Sequence, residues 1–328
     1  MADFERMQRG RVGTVRETMG WSEIDPTPLP NDLEWAEFDF IVTNAARHDI
    51  AVLPTVFTTP TWVTRIEGCE GPIGSGCGLT APSTVVGLAA WRSFLGSAVR
   101  RYGPGGVFWQ EHPEVPRRPI TEWQIWNEQN SPGFYKPAPN PDDYASLVIA
   151  ADEAIRGQDP NAKIVLGGMY ADPTGPSSKV ISAREFLAHL YQRPGFSAHF
   201  DGVAVHPYSG RIGGVKAQVQ KLVNVSRSVG DSDAGFYVTE LGWASGGDRD
   251  ARILGRRGQA KRLNQAFRYL TRVRERLNLR LVFWFAWRDI PPEDSASCYF
   301  CPQSGLFPVD SLTPKPAWDV FTKFTGGR

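Results

Sequence analysis

Short apolar runs alternate with longer stretches of helical period along the whole chain. Seven runs read as strands, at 12–18, 51–57, 121–127, 163–168, 202–206, 235–240 and 280–287. Between them, apolar residues recur every three or four positions, as expected of helices that bury one face. Phe38, Ile41, Val42 and Ala45 do so within 33–48, and Leu263, Ala266, Phe267, Leu270 and Val273 within 259–277. Further helices are predicted at 85–102, 142–158, 215–229 and 316–324. Gly103-Pro104-Gly105-Gly106 is a stop signal for the first of these. Ser182-Ala183-Arg184-Glu185 has the form of a capping box and opens another helix.

Strands that strictly alternate with helices imply a parallel sheet, either doubly wound or closed into a barrel. A doubly wound nucleotide-binding sheet carries a Gly-rich phosphate turn after its first strand. Arg16-Glu17-Thr18-Met19-Gly20-Trp21 has none, and no P-loop occurs elsewhere. The reading is therefore an α/β fold, a (β/α)8 TIM barrel, with residues 1–328 as a single domain. Segments 60–82 and 298–316 follow strands and belong to the catalytic end; 103–119 precedes a strand and belongs to the opposite end.

Composition narrows the partners. With 41% hydrophobic and 22% charged residues among 328, the chain can bury a large core, which excludes wholesale disorder. Lys and Arg number 36 against 35 Asp and Glu, so no basic excess points to nucleic acid or to an anionic membrane. The longest unbroken apolar run, 281–287, is far short of the roughly 20 residues of a membrane helix. Met1-Ala2-Asp3-Phe4-Glu5-Arg6 is charged and unlike a secretory segment. Four cysteines form two close pairs, Cys69/Cys77 and Cys298/Cys301. Two local disulfides are the favoured reading, with free thiols and a four-cysteine zinc site as alternatives. Disulfides would imply an exported protein, in tension with the missing signal segment.

In a parallel barrel, polar groups at the carboxyl ends of strands are the candidates for catalysis. They are Arg16, Asn127, Glu128, His206, Tyr208, Glu240 and Trp287. Glu128 and Glu240 each end an otherwise apolar strand, where burying a carboxylate is costly without a purpose. Two converging carboxylates suit glycoside hydrolysis, where one protonates the leaving oxygen and the other attacks or activates water. Trp126-Asn127-Glu128, His206-Pro207-Tyr208, Thr239-Glu240-Leu241-Gly242-Trp243 and Trp287 together resemble the clan A glycoside hydrolases, in particular families 39 and 5. The resemblance runs from Arg16 to Trp287. It implies a retaining glycosidase acting on a β-linked oligo- or polysaccharide, without cofactor or metal. Glu128 would be the acid/base and Glu240 the nucleophile. Asn127 would hold a sugar hydroxyl, Arg16 and Tyr208 would keep Glu240 ionised, and His206 would support the acid/base. Trp287 would floor the subsite of the cleaved sugar. Trp62 and Trp243, with Trp21, Tyr135 and Tyr170, would stack on sugar or pack loops. Where the clan often has Pro after the Asn-Glu pair, this chain has Gln129.

Each of these residues has a blander reading. Glu128 would serve a helix dipole, Glu240 would pair structurally with Arg16, Asn127 would satisfy loop backbone, and His206 would be a satisfied core histidine. Two other function classes stay open: a non-catalytic carbohydrate-binding barrel and a metal-dependent barrel hydrolase. His206 has no partner histidine at a strand end, which weighs against the latter.

Counting back from Asn127-Glu128 as the fourth strand leaves the first strand missing, with residues 2–10 as the tail of the first helix. An exposed apolar gap is expected between the 12–18 and 280–287 strands. Either a preceding stretch lies outside this sequence, or the barrel is open. The first is favoured, and it would also account for the absent export signal.

Overall fold

The structure is a computed structural model that describes residues 2–29, 32–64, 77–171, 180–291 and 298–328. Its seven strands are β1 (Thr14–Gly20), β2 (Ala51–Phe57), β3 (Glu122–Asn127), β4 (Lys163–Tyr170), β5 (Gly202–His206), β6 (Gly235–Val238) and β7 (Leu279–Val282). All neighbours pair in parallel, in sequence order from β1 to β7. The helices are α1 (Ala2–Arg9), α2 (Trp21–Ile24), α3 (Ala36–Arg47), α4 (Thr61–Thr64), α5 (Val85–Tyr102), α6 (Phe108–Glu111), α7 (Pro141–Arg156), α8 (Ala183–Gln192), α9 (Ile212–Ser228), α10 (Gly255–Val273) and α11 (Pro316–Thr325). The capping box at Ser182 forms in both directions and starts α8.

This is a curled (β/α) barrel without a first strand. Among the described residues, nothing pairs β1 with β7. The helix layer continues across the gap. Asp3 in the first turn of α1 accepts hydrogen bonds from the indole of Trp287 and the guanidinium of Arg288, just beyond β7. Met7 of α1 packs with Val15, Ala45 and Ile50. The strand layer beneath is open, as the sequence predicts, and two cavities border the seam. One, of about 460 Å³, is lined by the starts of β1, β2, β3 and β7. The other, of about 790 Å³, runs from Val12, Val15 and Val282 to the carboxyl ends of the strands.

Glu17 marks this seam. Strand alternation places it on the same face as Val15, in the layer between sheet and helices. No hydrogen bond or ion pair reaches its carboxylate among the described residues, and burial pushes its pKa up to about 7, with Arg16 nearby pulling the other way.

One of the two expected disulfides, Cys298–Cys301, is formed. The Cys69–Cys77 pairing lies outside the described residues. No helix among the described residues is long and apolar enough to cross a membrane.

Candidate active site

The large cavity ends at Glu128 and Glu240, whose side chains are each 13% exposed. Glu128 follows the last residue of β3. Strict alternation would send Gln124 and Asn127 to opposite faces of that strand. Trp126, with φ 70°, breaks the alternation and turns Asn127 inward. Both side chains therefore reach Arg16 of β1, whose Nε donates to Gln124 Oε1 (2.6 Å) and whose Nη2 donates to Asn127 Oδ1 (2.6 Å). Glu128 is itself left-handed, at φ 45°. Its backbone N–H donates to the Gly168 carbonyl of β4, while Gln129 and Asn130 bind Gly167 and Tyr170 of the same strand. Two uncommon backbone conformations, at Trp126 and Glu128 on either side of Asn127, are held by these bonds.

The rest of Arg16 serves Glu240: Nη1 donates to Glu240 Oε1 at 2.8 Å. The Tyr208 hydroxyl donates to Glu240 Oε2 at 2.7 Å. His206, fully buried at the end of β5, places Nδ1 2.8 Å from Glu128 Oε1 and 3.5 Å from Glu240 Oε2. Its other ring nitrogen lies 3.1 Å from Thr239 Oγ1. Gly168 has to lack a side chain, because a Cβ there would stand 2.0 Å from His206 Nε2 and 2.5 Å from Thr239 Oγ1.

The environment separates the two carboxyls. Burial raises the pKa of Glu128, the charge of Glu240 adds to it, and contacts with His206 and Arg16 offset only part of the rise. Burial acts on Glu240 too, but His206, Arg16 and the hydrogen bond from Tyr208 outweigh it and hold Glu240 below its ordinary value. The Tyr208 hydroxyl, buried and beside Glu240, is raised far above its ordinary range and so keeps the proton it donates.

One oxygen of Glu128, one of Glu240 and a ring nitrogen of His206 lie within 4.8 Å of one another, the kind of trio that can ligate a metal ion. Here both Glu240 oxygens already accept hydrogen bonds, one of them from a guanidinium that would repel a cation. These contacts leave Glu240 poorly disposed to hold a cation.

Of the tryptophans expected from the sequence, Trp287 lines the cavity and Trp62 and Trp243 do not. Trp243 is fully buried, donates to the Ser209 carbonyl and packs on Trp284, so it buttresses the loops rather than meeting a ligand. Trp62 turns its indole N–H to the Asp25 carbonyl and its ring to Trp21, away from the cavity lining. Trp287 does line the cavity, but on the seam side, with its ring against Phe307 and Trp318. Phe285 is the aromatic of that segment beside Tyr208, at 6.3 Å between ring centres. Trp21 and Tyr135 are buried, and Tyr170 lines the cavity. Sequence reasoning missed Gln124, Thr239, Phe285 and Phe300. Gln124 carried a signal, as a lone amide inside an apolar strand.

No protein-family model and no curated protein matches the chain. Solved structures do. A family 39 glycoside hydrolase from the gut symbiont Bacteroides cellulosilyticus WH2 is 20% identical with a TM-score of 0.67, over 98% of this chain and 60% of that one. A family 5 subfamily 18 protein from Bifidobacterium longum, solved with Manβ1-4GlcNAc, is 15% identical with a TM-score of 0.65, over 99% of this chain and 72% of that one. The family 53 catalytic domain of Ignisphaera aggregans is 16% identical with a TM-score of 0.61, over 97% and 87%. The chain thus has the barrel fold of clan A glycoside hydrolases, and spans 60% of the length of the family 39 protein.

Proposed function

We propose that the protein is a retaining glycoside hydrolase acting on a β-linked glycan, with Glu240 as nucleophile and Glu128 as acid/base. The observation that carries this reading is a pair of carboxyls with oxygens within 4.8 Å, one pushed up and the other held down in pKa. Retaining enzymes place their carboxyls about 5–5.5 Å apart, whereas inverting ones leave roughly 6.5–9.5 Å for a water.

Glu240, kept ionised by Arg16 and Tyr208, attacks the anomeric carbon. Glu128 gives its proton to the departing oxygen, and the sugar is left as an ester on Glu240. That ester carries no charge, so the Coulombic contribution that raised Glu128 disappears and its pKa falls. Glu128 then takes a proton from water, which attacks the same carbon and releases Glu240 with the anomeric configuration retained. In this reading Asn127, which accepts from Arg16, binds the sugar beside the nucleophile.

Glu240→Gln and Glu128→Gln should each abolish turnover of aryl glycosides. Azide should rescue the second variant by forming a β-glycosyl azide, while full activity in either variant would sink the proposal. The open seam favours a second reading, a carbohydrate-binding barrel without turnover. Oligosaccharide binding with no hydrolysis of any aryl glycoside or polysaccharide would support it. Activity that survives chelator would dispose of a metal-dependent hydrolase.

A further inference from the structure

The wall of the same cavity carries a second built group that the catalytic steps do not use. Arg252, in the loop after β6, is 19% exposed and lines the cavity that holds Glu128 and Glu240. Its Nε donates to Asp250 Oδ1 at 2.8 Å, and its Nη2 donates to Asp250 Oδ2. Asp250 also accepts from the backbone N–H of Arg252, which closes the turn. The backbone of this turn is tied to Ala244, directly after Trp243.

The face of the guanidinium lies 4.0 Å from the ring centre of Phe300 and 5.7 Å from that of Tyr208. Phe300 is 3% exposed, sits inside the Cys298–Cys301 disulfide, and packs on Tyr208 at 5.0 Å. Segments following β5 and β7 therefore pack on a planar cation carried by the loop after β6. Tyr170 lines the same cavity, with its ring 6.4 Å from that of Tyr208, and its phenolic O–H is a donor.

This is more order than a surface ion pair requires. One edge of the guanidinium is committed to Asp250 and one face to Phe300. Nη1 makes no hydrogen bond to a carboxylate or carbonyl among the described residues. A fixed guanidinium edge beside a phenol on a cavity wall presents converging donors, and sugar hydroxyls are acceptors that match them. Asp250 supplies the compensating negative charge. The pair is therefore close to neutral, and a carboxylate on the sugar would meet Asp250 as well as Arg252.

We propose that Arg252 and Tyr170 form a specificity site for the hydroxyls of an uncharged sugar, and that Asp250 sets the preference against uronic acids by masking the guanidinium charge. This rests on the glycosidase reading above and deepens it. Arg252 and Tyr170 touch substrate; Asp250 acts through Arg252 as a positioning residue.

The test compares wild type with Arg252→Met, Arg252→Lys, Tyr170→Phe and Asp250→Asn on neutral aryl glycosides and aryl uronides. Melting curves establish that each variant is folded. Losing a hydrogen bond from a charged donor should raise KM on neutral glycosides about 10- to 100-fold in Arg252→Met, while kcat changes less than about 3-fold. Arg252→Lys should recover part of that loss. Tyr170→Phe should raise KM several-fold, with the double variant less than additive. Asp250→Asn should shift the neutral-to-uronide ratio of kcat/KM toward uronides. An unchanged KM in folded Arg252→Met would overturn the proposal, as would wild-type preference for uronides or an unmoved ratio in Asp250→Asn.

Calorimetry with neutral xylo-, manno- and gluco-oligosaccharides on Glu128→Gln, with and without Arg252→Met, separates the two readings. Binding lost with Arg252 but no turnover in wild type sinks the glycosidase reading alone. Turnover in wild type with binding indifferent to Arg252 sinks this one alone.

Discussion

Glu128 and Glu17 are both carboxyls with raised pKa values in the same cavity, and they sit in opposite kinds of surroundings. On the β3–β5 side, Glu128, His206, Thr239 and Gln124 form one connected chain of hydrogen bonds that continues to Arg16. On the β1–β7 side, Glu17 faces an opening, and among the described residues no hydrogen bond or ion pair reaches its carboxylate, although the charge of Arg16 lies nearby. A raised carboxyl pKa alone therefore does not mark an acid catalyst. The difference is geometry, since Glu128 has a second carboxyl within one sugar's reach and a network that fixes it, and Glu17 has neither.

Arg16 links the two regions, because it belongs to the edge strand yet holds Glu240, Asn127 and Gln124. Arg16→Met should give the largest effect of these, lowering kcat/KM by about 10²- to 10³-fold as a charge-assisted contact to Glu240 is lost. Glu240 would also lose the cation that holds its pKa down. The acid limb of the pH–rate profile should then move to higher pH, and an unmoved limb would break the link. In the intact protein, activity should fall in acid as Glu240 takes up a proton below its ordinary range. It should fall in base as Glu128 loses its proton above that range.

Gly168→Ala attacks the ordered wall. Its methyl would collide with His206 and Thr239, and overpacking of this kind costs about 2 kcal/mol. Chemical denaturation and initial rates should fall together; a stable, fully active variant would show that the wall yields easily.

Glu17→Gln probes the seam, with an effect of similar size and opposite sign. The folded protein holds the Glu17 proton up to about pH 7, whereas the unfolded chain releases it near its ordinary 4.5. Stability from this group is therefore fully present below 4.5, is lost as pH rises through about 7, and does not return above it. The variant should be more stable than wild type by roughly 2 kcal/mol at about pH 8 and no more stable at about pH 4. Equal stability at both would mean that Glu17 has a partner in solution.

Much of this was readable in advance, and the exceptions have physical causes. The alternating periods predicted every strand of β1–β6 to within two residues at each end, and β5 and β6, buried along their whole length, read as short apolar runs. β7 ends at Val282 rather than at 287, level with Val238, where its partner β6 ends. Glu128, Glu240, Arg16, Asn127, His206 and Tyr208 were legible as strand-end polar residues, and they do converge. Trp62 and Trp243 were not separable from ligand-stacking aromatics, because loop packing and sugar stacking select the same side chains. The left-handed turn at Trp126 carries no glycine or asparagine to announce it, so the inward swing of Asn127 is visible only in the fold.

The retaining assignment meets its most direct test in trapping the intermediate. The protein is incubated with the 2-deoxy-2-fluoro form of whichever aryl glycoside it turns over, and the digest is analysed by mass spectrometry. The account predicts one fluorosugar per chain, esterified to Glu240, with more label accumulating in Glu128→Gln only when the leaving group needs no proton. Label on another residue, or hydrolysis that proceeds with inversion and no label, would contradict it.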